Sequence, residues 1–201
     1  GLYGAPTASG NSLDFNPNAF EADCSVDPGC PPTPHSVGDT LTLQVDANAG
    51  NFIEEIMLSE AGDTTLAAFG AAFAATTITA DVFVDVLEVN GSSVNNVNAN
   101  ALMVFTQNGE YETNDEGTGT FIWTGMLMLD INAVIAGAGE VGQATLVELS
   151  ISNTLTAFAE SGATARIEKK DIDGLAITVI PEPGTALLMG FGLIGLAARR
   201  R

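Results

Sequence analysis

The stretch VELSISNTLTA, residues 147–157, alternates apolar and polar side chains along almost its whole length. Its apolar positions are Val147, Leu149, Ile151, Leu155 and Ala157. Side chains at every second position of a β-strand point to the same face of a sheet. This stretch therefore predicts a strand with one face in a core and the other in solvent.

The same period of two recurs elsewhere in the chain. Phe121, Trp123 and Ile135 stand at odd positions of one segment, and Asn90-Gly91 after another segment is typical of a hairpin turn. The predicted strands cover residues 41–47, 52–58, 81–89, 101–106, 121–135, 147–157 and 175–179. Short strands separated by turn signals predict an all-β fold, an antiparallel β-sandwich of the jelly-roll or immunoglobulin-like class.

The segments between these strands predict turns and loops. Residues 59–63 predict a turn, residues 95–100 predict a polar loop, and residues 66–75 permit a short helix or a strand. Residues 137–142 spell G-x-G-x-x-G, the pattern of a dinucleotide-binding turn, but strand alternation resumes at once and no helix follows. We therefore predict a hairpin loop at residues 137–142.

Composition divides the chain into three predicted parts. Residues 1–36 hold six of the eight prolines and predict an irregular leader. Residues 37–180 carry the strands and form the sandwich, whose length is typical of one domain. Residues 181–201 form a separate C-terminal signal.

Two cysteines lie close together in the leader. Cys24 and Cys30 flank a segment with turn residues at its centre, so an oxidising compartment favours a local disulfide between them. The alternative is a metal site completed by His35 and Asp27, but a structural zinc ion normally takes four nitrogen or sulfur ligands. We therefore expect the disulfide.

The charge balance excludes some partners and suggests another. The chain has 25 acidic and 6 basic residues and a net charge of −19, which repels phosphate backbones, so we expect no nucleic-acid binding. Oxygen-rich acidic loops suit calcium. The acidic segment Glu110, Glu112, Asp115 and Glu116 therefore predicts a calcium site, with a solvated loop as the alternative.

The sequence offers no convincing active site. It lacks a G-x-S-x-G motif, and its one histidine, His35, has no evident catalytic partner. Acidic pairs such as Asp130 with Glu148 alternate with apolar residues, so we expect them on a solvated face. The protein is therefore expected to be non-enzymatic.

Glycan binding is an alternative function that depends on exposed aromatic side chains. Tyr3 and Tyr111 offer isolated contacts of this kind. Trp123 shares the inward register of its strand, so we expect it in the core instead.

The last residues combine three features in a fixed order, which are Pro181-Glu182-Pro183-Gly184, the apolar stretch Thr185–Ala198 and Arg199-Arg200-Arg201. Proline suits the first turn of a helix, and Leu, Met and Ala favour helix formation. A helix of about 14 residues spans about 21 Å, less than the ~30 Å hydrocarbon core of a membrane. We therefore expect a short membrane helix that acts as an address rather than as a permanent anchor.

This order of features resembles the PEP-CTERM sorting signal of Gram-negative bacteria, over residues 181–201 only. The resemblance implies export, transient anchoring in the inner membrane through Thr185–Ala198, and recognition by an exosortase, a membrane-embedded cysteine protease. It also implies cleavage near Pro181-Glu182-Pro183 and delivery to the cell surface or the medium. Association with exopolysaccharide and the biofilm matrix is the expected setting.

Two further expectations concern the ends of the chain. Export requires a secretory peptide upstream of Gly1, so we expect the chain to start after its removal, with a truncated chain as the alternative. Pro181 and Pro183 are expected to keep the junction extended and outside both the last strand and the membrane helix.

Overall fold

The computed structural model describes residues 1–17, 19–25, 30, 33–170 and 176–181. Nearly all of the regular structure in these residues is β-strand. The strands are β1 (Pro6–Ser9), β2 (Ser12–Phe15), β3 (Glu21–Asp23), β4 (His35–Asp46), β5 (Ile53–Ala68), β6 (Ala74–Val89), β7 (Ser92–Ser93), β8 (Asn98–Leu102), β9 (Val104–Phe105), β10 (Glu110–Glu112), β11 (Gly119–Asp130), β12 (Ala144–Ala159), β13 (Ala163–Lys169) and β14 (Ala176–Pro181). One α-helix, α1 (Ile131–Gly137), follows β11.

The strands form two antiparallel sheets. Sheet A is built on β5, which pairs with β11 on one side and with β13 and β14 on the other. It continues through β9, β3, β2 and β1. Sheet B is built on β12, which lies between β4 and β6, and it continues through β7, β8 and β10. Within the described residues, a single bridge between Ala144 and Ile53 pairs the two sheets, and the fold is the predicted antiparallel β-sandwich.

The core lies between the inner faces of the sheets. Leu149, Ile151 and Leu155 on β12 are fully buried, as their period-two spacing predicts. Trp123 on β11 is also fully buried, and the edge of the Phe105 ring packs against it with ring centroids 5.9 Å apart. Phe105 on β9 and Trp123 on β11 belong to neighbouring strands of sheet A, and the inward side chains of both sheets together form the core.

The N-terminal residues differ from the irregular leader expected for residues 1–36. They supply β1, β2 and β3 to sheet A. Phe15, Phe20 and Ala22 are buried in the core. These strands are only three or four residues long, which is too short for an alternation of apolar and polar residues to be recognised in the sequence.

The turn predicted at residues 59–63 does not exist, because β5 runs straight through it. Its polar residue Glu60 faces inward, and Gly62 lies directly beneath the ring of Trp123. Glu60 and Gly62 suggest a turn by their residue types, but in β5 they have other roles. Gly62 leaves room for the Trp123 ring, and Glu60 pairs with the buried Lys169.

The segment 121–135 is not a strand throughout. β11 ends at Asp130, whose Oδ1 accepts a hydrogen bond from the Ala133 N–H at 2.8 Å and so caps α1. Ile131 and Ile135 are both buried, and their separation of four residues fits one face of a helix as well as odd-numbered strand positions. The strand prediction for this part of the segment was wrong.

The loop after α1 also differs from the prediction. It leads from β11 in sheet A to β12 in sheet B, so residues 137–142 join the two sheets and do not form a hairpin. A strand follows the G-x-G-x-x-G pattern, as expected.

Three other segments connect strands of the sandwich. The turn at Asn90-Gly91 is confirmed, with φ angles of 53° and 73° that match the hairpin preference. Residues 95–100 are only partly loop, since β8 begins at Asn98. Residues 66–75 comprise the end of β5, a turn and the start of β6.

Gly62→Ala should destabilise the protein strongly. A Cβ at this position would overlap the carbonyl oxygen of Glu168 and the ring of Trp123, and overpacking of this kind costs about 1–3 kcal/mol. Gly137→Ala is the matched control, because a Cβ there meets nothing within 4 Å, and alanine is the better helix former. Urea unfolding of both variants measures the difference, and equal stability of the two would contradict the packing described here.

Candidate functional site

The C-terminal signal begins where β14 ends. β14 pairs with β2 and with β5, and its last pairing joins Pro181 to Ile53 after a local irregularity. Pro181 is thus part of the last strand, and the expectation that both prolines lie outside it was wrong for this residue. Proline cannot donate to the ladder, so it is suited to the end of a strand. The other signal residues lie outside the described residues, namely Glu182, Pro183, Gly184, Thr185–Ala198, Arg199, Arg200 and Arg201.

An open cleft of about 510 Å³ borders the end of β14. Val179 lines it together with Asn11 and Ser12 from the β1–β2 hairpin, and with Asp46 and Asn48 from the end of β4 and the loop after it. The cleft is polar along much of its lining, and Val179 is the residue of β14 that contributes to it.

The predicted disulfide between Cys24 and Cys30 is present. Their Cα atoms are 5.2 Å apart, and Cys24 is buried beside β12, with its Sγ 3.1 Å from the carbonyl oxygen of Ala157. Because both sulfurs are bonded to each other, they are not thiolate ligands, which removes the alternative zinc site. His35 is exposed at the start of β4 with its Nδ1 3.1 Å from the Asp23 nitrogen, while Asp27 lies outside the described residues.

The acidic segment occupies β10 and the turn after it. Glu110 and Glu112 lie on β10, which pairs with β6, and Asp115 is exposed in the turn. The Oε2 atom of Glu116 accepts a hydrogen bond from the Glu112 N–H at 2.7 Å. In the part of the chain that the structure describes, no three His, Cys, Asp or Glu side chains form a group that could hold a metal ion. The calcium site stays a prediction.

The tyrosines proposed as glycan contacts are not available at the surface. Tyr3 and Tyr111 are each 2% exposed, so that expectation was wrong. Tyr111 stacks on Phe121 and its hydroxyl lies 2.9 Å from Thr106 Oγ1. Trp123 is in the core, as predicted.

A buried polar cluster of Tyr3, Glu60, Asn153 and Lys169 lies between the sheets. Lys169 Nζ is 2.9 Å from Glu60 Oε1 and donates to Asn153 Oδ1 at 2.8 Å. Asn153 Nδ2 donates to Glu60 Oε2 at 2.9 Å, and the Tyr3 hydroxyl donates to Asn153 Oδ1 at 2.7 Å. The side chains of Glu60 and Lys169 are 0% exposed, so the cluster is closed to solvent.

Burial shifts the pKa values of the ionisable members in directions that disfavour charge. Removal from water raises the pKa of the Glu60 carboxyl above its usual value and lowers the pKa of the Lys169 amine, while the attraction between the two opposes both shifts. Burial also raises the pKa of Tyr3, so its hydroxyl keeps its proton as a donor. Lys169 Nζ lies 5.1 Å from the centroid of the Tyr3 ring and 5.3 Å from that of Phe20, which adds a favourable cation–π contact to the charged form.

Sequence reasoning missed this cluster, although one signal was present. Asn153 occupies an inward position of β12 between Ile151 and Leu155, where an apolar residue is expected. A polar residue at such a position indicates a buried partner. Nothing in the sequence pairs Asn153 with Glu60 and Lys169, because the three residues lie on different strands.

Residues 179–201 match a family model described as the PEP-CTERM protein-sorting motif. The chain therefore carries this motif at its C-terminal end, as the sequence analysis expected. The motif marks an exported protein that an exosortase processes, with a location at the cell surface or outside the cell. Among the described residues no helix is long and apolar enough to cross a membrane, and the expected membrane segment lies outside them.

Other comparisons give low similarity. The sequence matches no curated protein. One solved structure is that of TmCBM61 in complex with beta-1,4-galactotriose, at 8% identity and a TM-score of 0.26, covering 80% of this chain and 83% of that one. Another is a putative sugar binding protein from Bacteroides thetaiotaomicron, at 7% identity and a TM-score of 0.22, covering 84% of this chain and 74% of that one. At these values neither structure bears on the ligand of this chain.

Calcium should raise the melting temperature if the acidic segment binds it, because a ligand that binds only the native state stabilises that state. Millimolar calcium is the probe, and Glu112→Gln combined with Glu116→Gln should abolish the rise. Asp81→Asn with Asp85→Asn, on β6 away from the segment, is the control and should leave the rise unchanged. An identical melting curve of the unaltered protein with calcium and with a chelator would contradict the predicted site.

Proposed function

We propose that the protein is a non-enzymatic component of the cell surface or extracellular matrix of a Gram-negative bacterium, associated with exopolysaccharide. The observation that carries this proposal is that the sorting motif starts within β14, a strand of the sandwich itself. The cargo of the motif is therefore the sandwich, without a linker between the folded domain and the signal. An exosortase is its processing partner, and contact with the inner membrane is transient.

Two features favour a structural role over catalysis. Glu60 and Lys169, whose pKa values burial shifts in the directions that disfavour charge, have fully buried side chains, so a diffusing substrate cannot reach them. The outer face of sheet B instead carries pairs of hydroxyl side chains, such as Thr40 with Ser152 at 3.1 Å and Thr42 with Ser150 at 2.8 Å. A surface of this kind suits hydrated polymers better than it suits chemistry on a bound molecule.

Glycan binding is the second candidate, and a groove on sheet B favours it. The groove has a volume of about 380 Å³ and combines polar side chains with an aromatic ring. Asp81, Asn100, Ser150 and Ser152 line it, and Phe83 beside them is 40% exposed. A partly exposed ring flanked by hydrogen-bonding groups is the combination that a sugar requires, with one apolar and several polar surfaces.

The form recovered from the surface or the medium of the native host should lack Thr185–Arg201. Intact mass spectrometry measures this, and the cut is expected near Pro181-Glu182-Pro183. In a host without the exosortase, or with Pro181→Ala and Pro183→Ala together, uncut protein should accumulate in the inner membrane. A surface form whose mass still includes Arg199–Arg201 would contradict the proposal.

Phe83→Ala should weaken binding to exopolysaccharide purified from the host by about tenfold, or ~1.4 kcal/mol. Ile122→Ala is the matched control, because Ile122 is 79% exposed on the outer face of the other sheet. Sedimentation of the protein with the polymer measures the binding. Equal binding by both variants would exclude the groove as the contact and leave the surface role without a glycan site.

A further inference from the structure

We propose that Lys169 and Asn153 react with each other in the folded protein and form an isopeptide bond, with Glu60 as the acid and base. The proposal rests on three contacts within one closed cluster. Lys169 Nζ touches Asn153 Oδ1 at 2.8 Å, Glu60 Oε1 is 2.9 Å from the same Nζ, and Glu60 Oε2 accepts from Asn153 Nδ2 at 2.9 Å. One carboxyl group thus contacts both the amine and the amide nitrogen.

The amine is placed and prepared as a nucleophile. Attack requires an uncharged Nζ, and burial among Tyr3, Phe20 and strand backbone lowers the pKa of Lys169 while it raises the pKa of Glu60. A proton can therefore pass from Nζ to Oε1 without leaving a net charge in the core. Glu60 Oε1 lies 2.9 Å from Nζ and, among the described groups, accepts no hydrogen bond from any other donor, so it can take that proton. Desolvation of a lysine is a known way to activate it.

The amide carbonyl is polarised by a second donor. Attack of Nζ on Cγ of Asn153 puts negative charge on Oδ1, and the Tyr3 hydroxyl already donates to that oxygen at 2.7 Å. Donors aimed at the atom where charge develops lower the barrier most in a site without water. The hydroxyl stays protonated, because burial raises the pKa of Tyr3.

The leaving group faces the acid that can protonate it. Glu60 gives the proton first taken from Nζ to Nδ2, and the Cγ–Nδ2 bond breaks as the tetrahedral intermediate collapses. Glu60 then takes the second proton that Nζ must lose to become an amide nitrogen. The products are a secondary amide between Nζ and Cγ and ammonia, which leaves with that second proton as ammonium, so Glu60 returns to the carboxylate. No oxidant or cofactor is consumed, and the step balances with the residues present.

The bond would join the two sheets. Asn153 lies on β12 in sheet B and Lys169 on β13 in sheet A, 16 residues apart in sequence. Holding the reacting groups in contact inside a rigid core supplies the proximity that the uncatalysed reaction lacks. A link at this place would resist separation of the sheets, which is useful to a domain that acts outside the cell.

Mass spectrometry of the denatured and reduced full chain tests the proposal. The link removes ammonia, so the protein should be about 17 Da lighter than its sequence requires. After cleavage at glutamate, residues 149–160 and 169–182 should appear as one branched product. Lys169→Met and Glu60→Gln should each restore the full mass. Lys170→Met is the matched control on the neighbouring exposed cation and should keep the loss.

Tyr3→Phe tests the role of the hydroxyl with little change in packing. It should slow the reaction, so that freshly folded protein contains a larger unlinked fraction. Tyr111→Phe is its control, since Tyr111 is equally buried but lies away from the cluster.

Unaltered protein of full mass, with the two peptides separate, would overturn the proposal even if the variants failed to fold. A loss of about 17 Da confined to one peptide would also overturn it, because that is the mark of a cyclised asparagine. Neither result depends on the sorting motif, so the proposed function is tested apart from this one.

Discussion

Two ionisable side chains buried between the sheets, an acid and an amine, are the constraint on which the rest of the structure depends. Glu60 and Lys169 lie 2.9 Å apart with no exposed side-chain surface, and removing either partner alone would strand a charge in the core at a cost of about 3–5 kcal/mol. Asn153 completes the pairing. Because the three residues come from β5, β12 and β13, only one placement of sheet A on sheet B satisfies them all. Tyr3 extends the same constraint to the N-terminal segment.

This arrangement is compatible with removal of the C-terminal signal. The pairings of β14 with β2 and β5 all lie at or before Pro181, so a cut beyond that residue leaves every described strand intact. The N-terminal segment is held by the buried Phe20, by the Cys24–Cys30 disulfide and by strand pairing. Every strand pairing among the described residues is therefore made by residues that remain after such a cut.

Local pattern was sufficient for β12 and for the sorting motif, but it was insufficient for the N-terminal strands, for the course of β5 and for the buried polar cluster. The inward register of β12 and the buried Trp123 follow from period-two alternation, and the disulfide follows from spacing and compartment. Gly62 and Glu60 suggested a turn because small and polar residues are typical of turns. The residues that they contact in the strand, Trp123 and Lys169, are distant in sequence, so local pattern could not reveal them. Helix α1 was missed because two isoleucines four residues apart satisfy both periods.

A crystal structure of the folded protein at a resolution that separates bonded atoms tests this arrangement most directly. We expect Lys169 and Glu60 in contact between the sheets, and continuous electron density from Lys169 Nζ to Asn153 Cγ. Density that placed Lys169 in solvent, away from Glu60, would contradict the constraint itself. Density that showed Nζ and Cγ in contact but not bonded would contradict the covalent link.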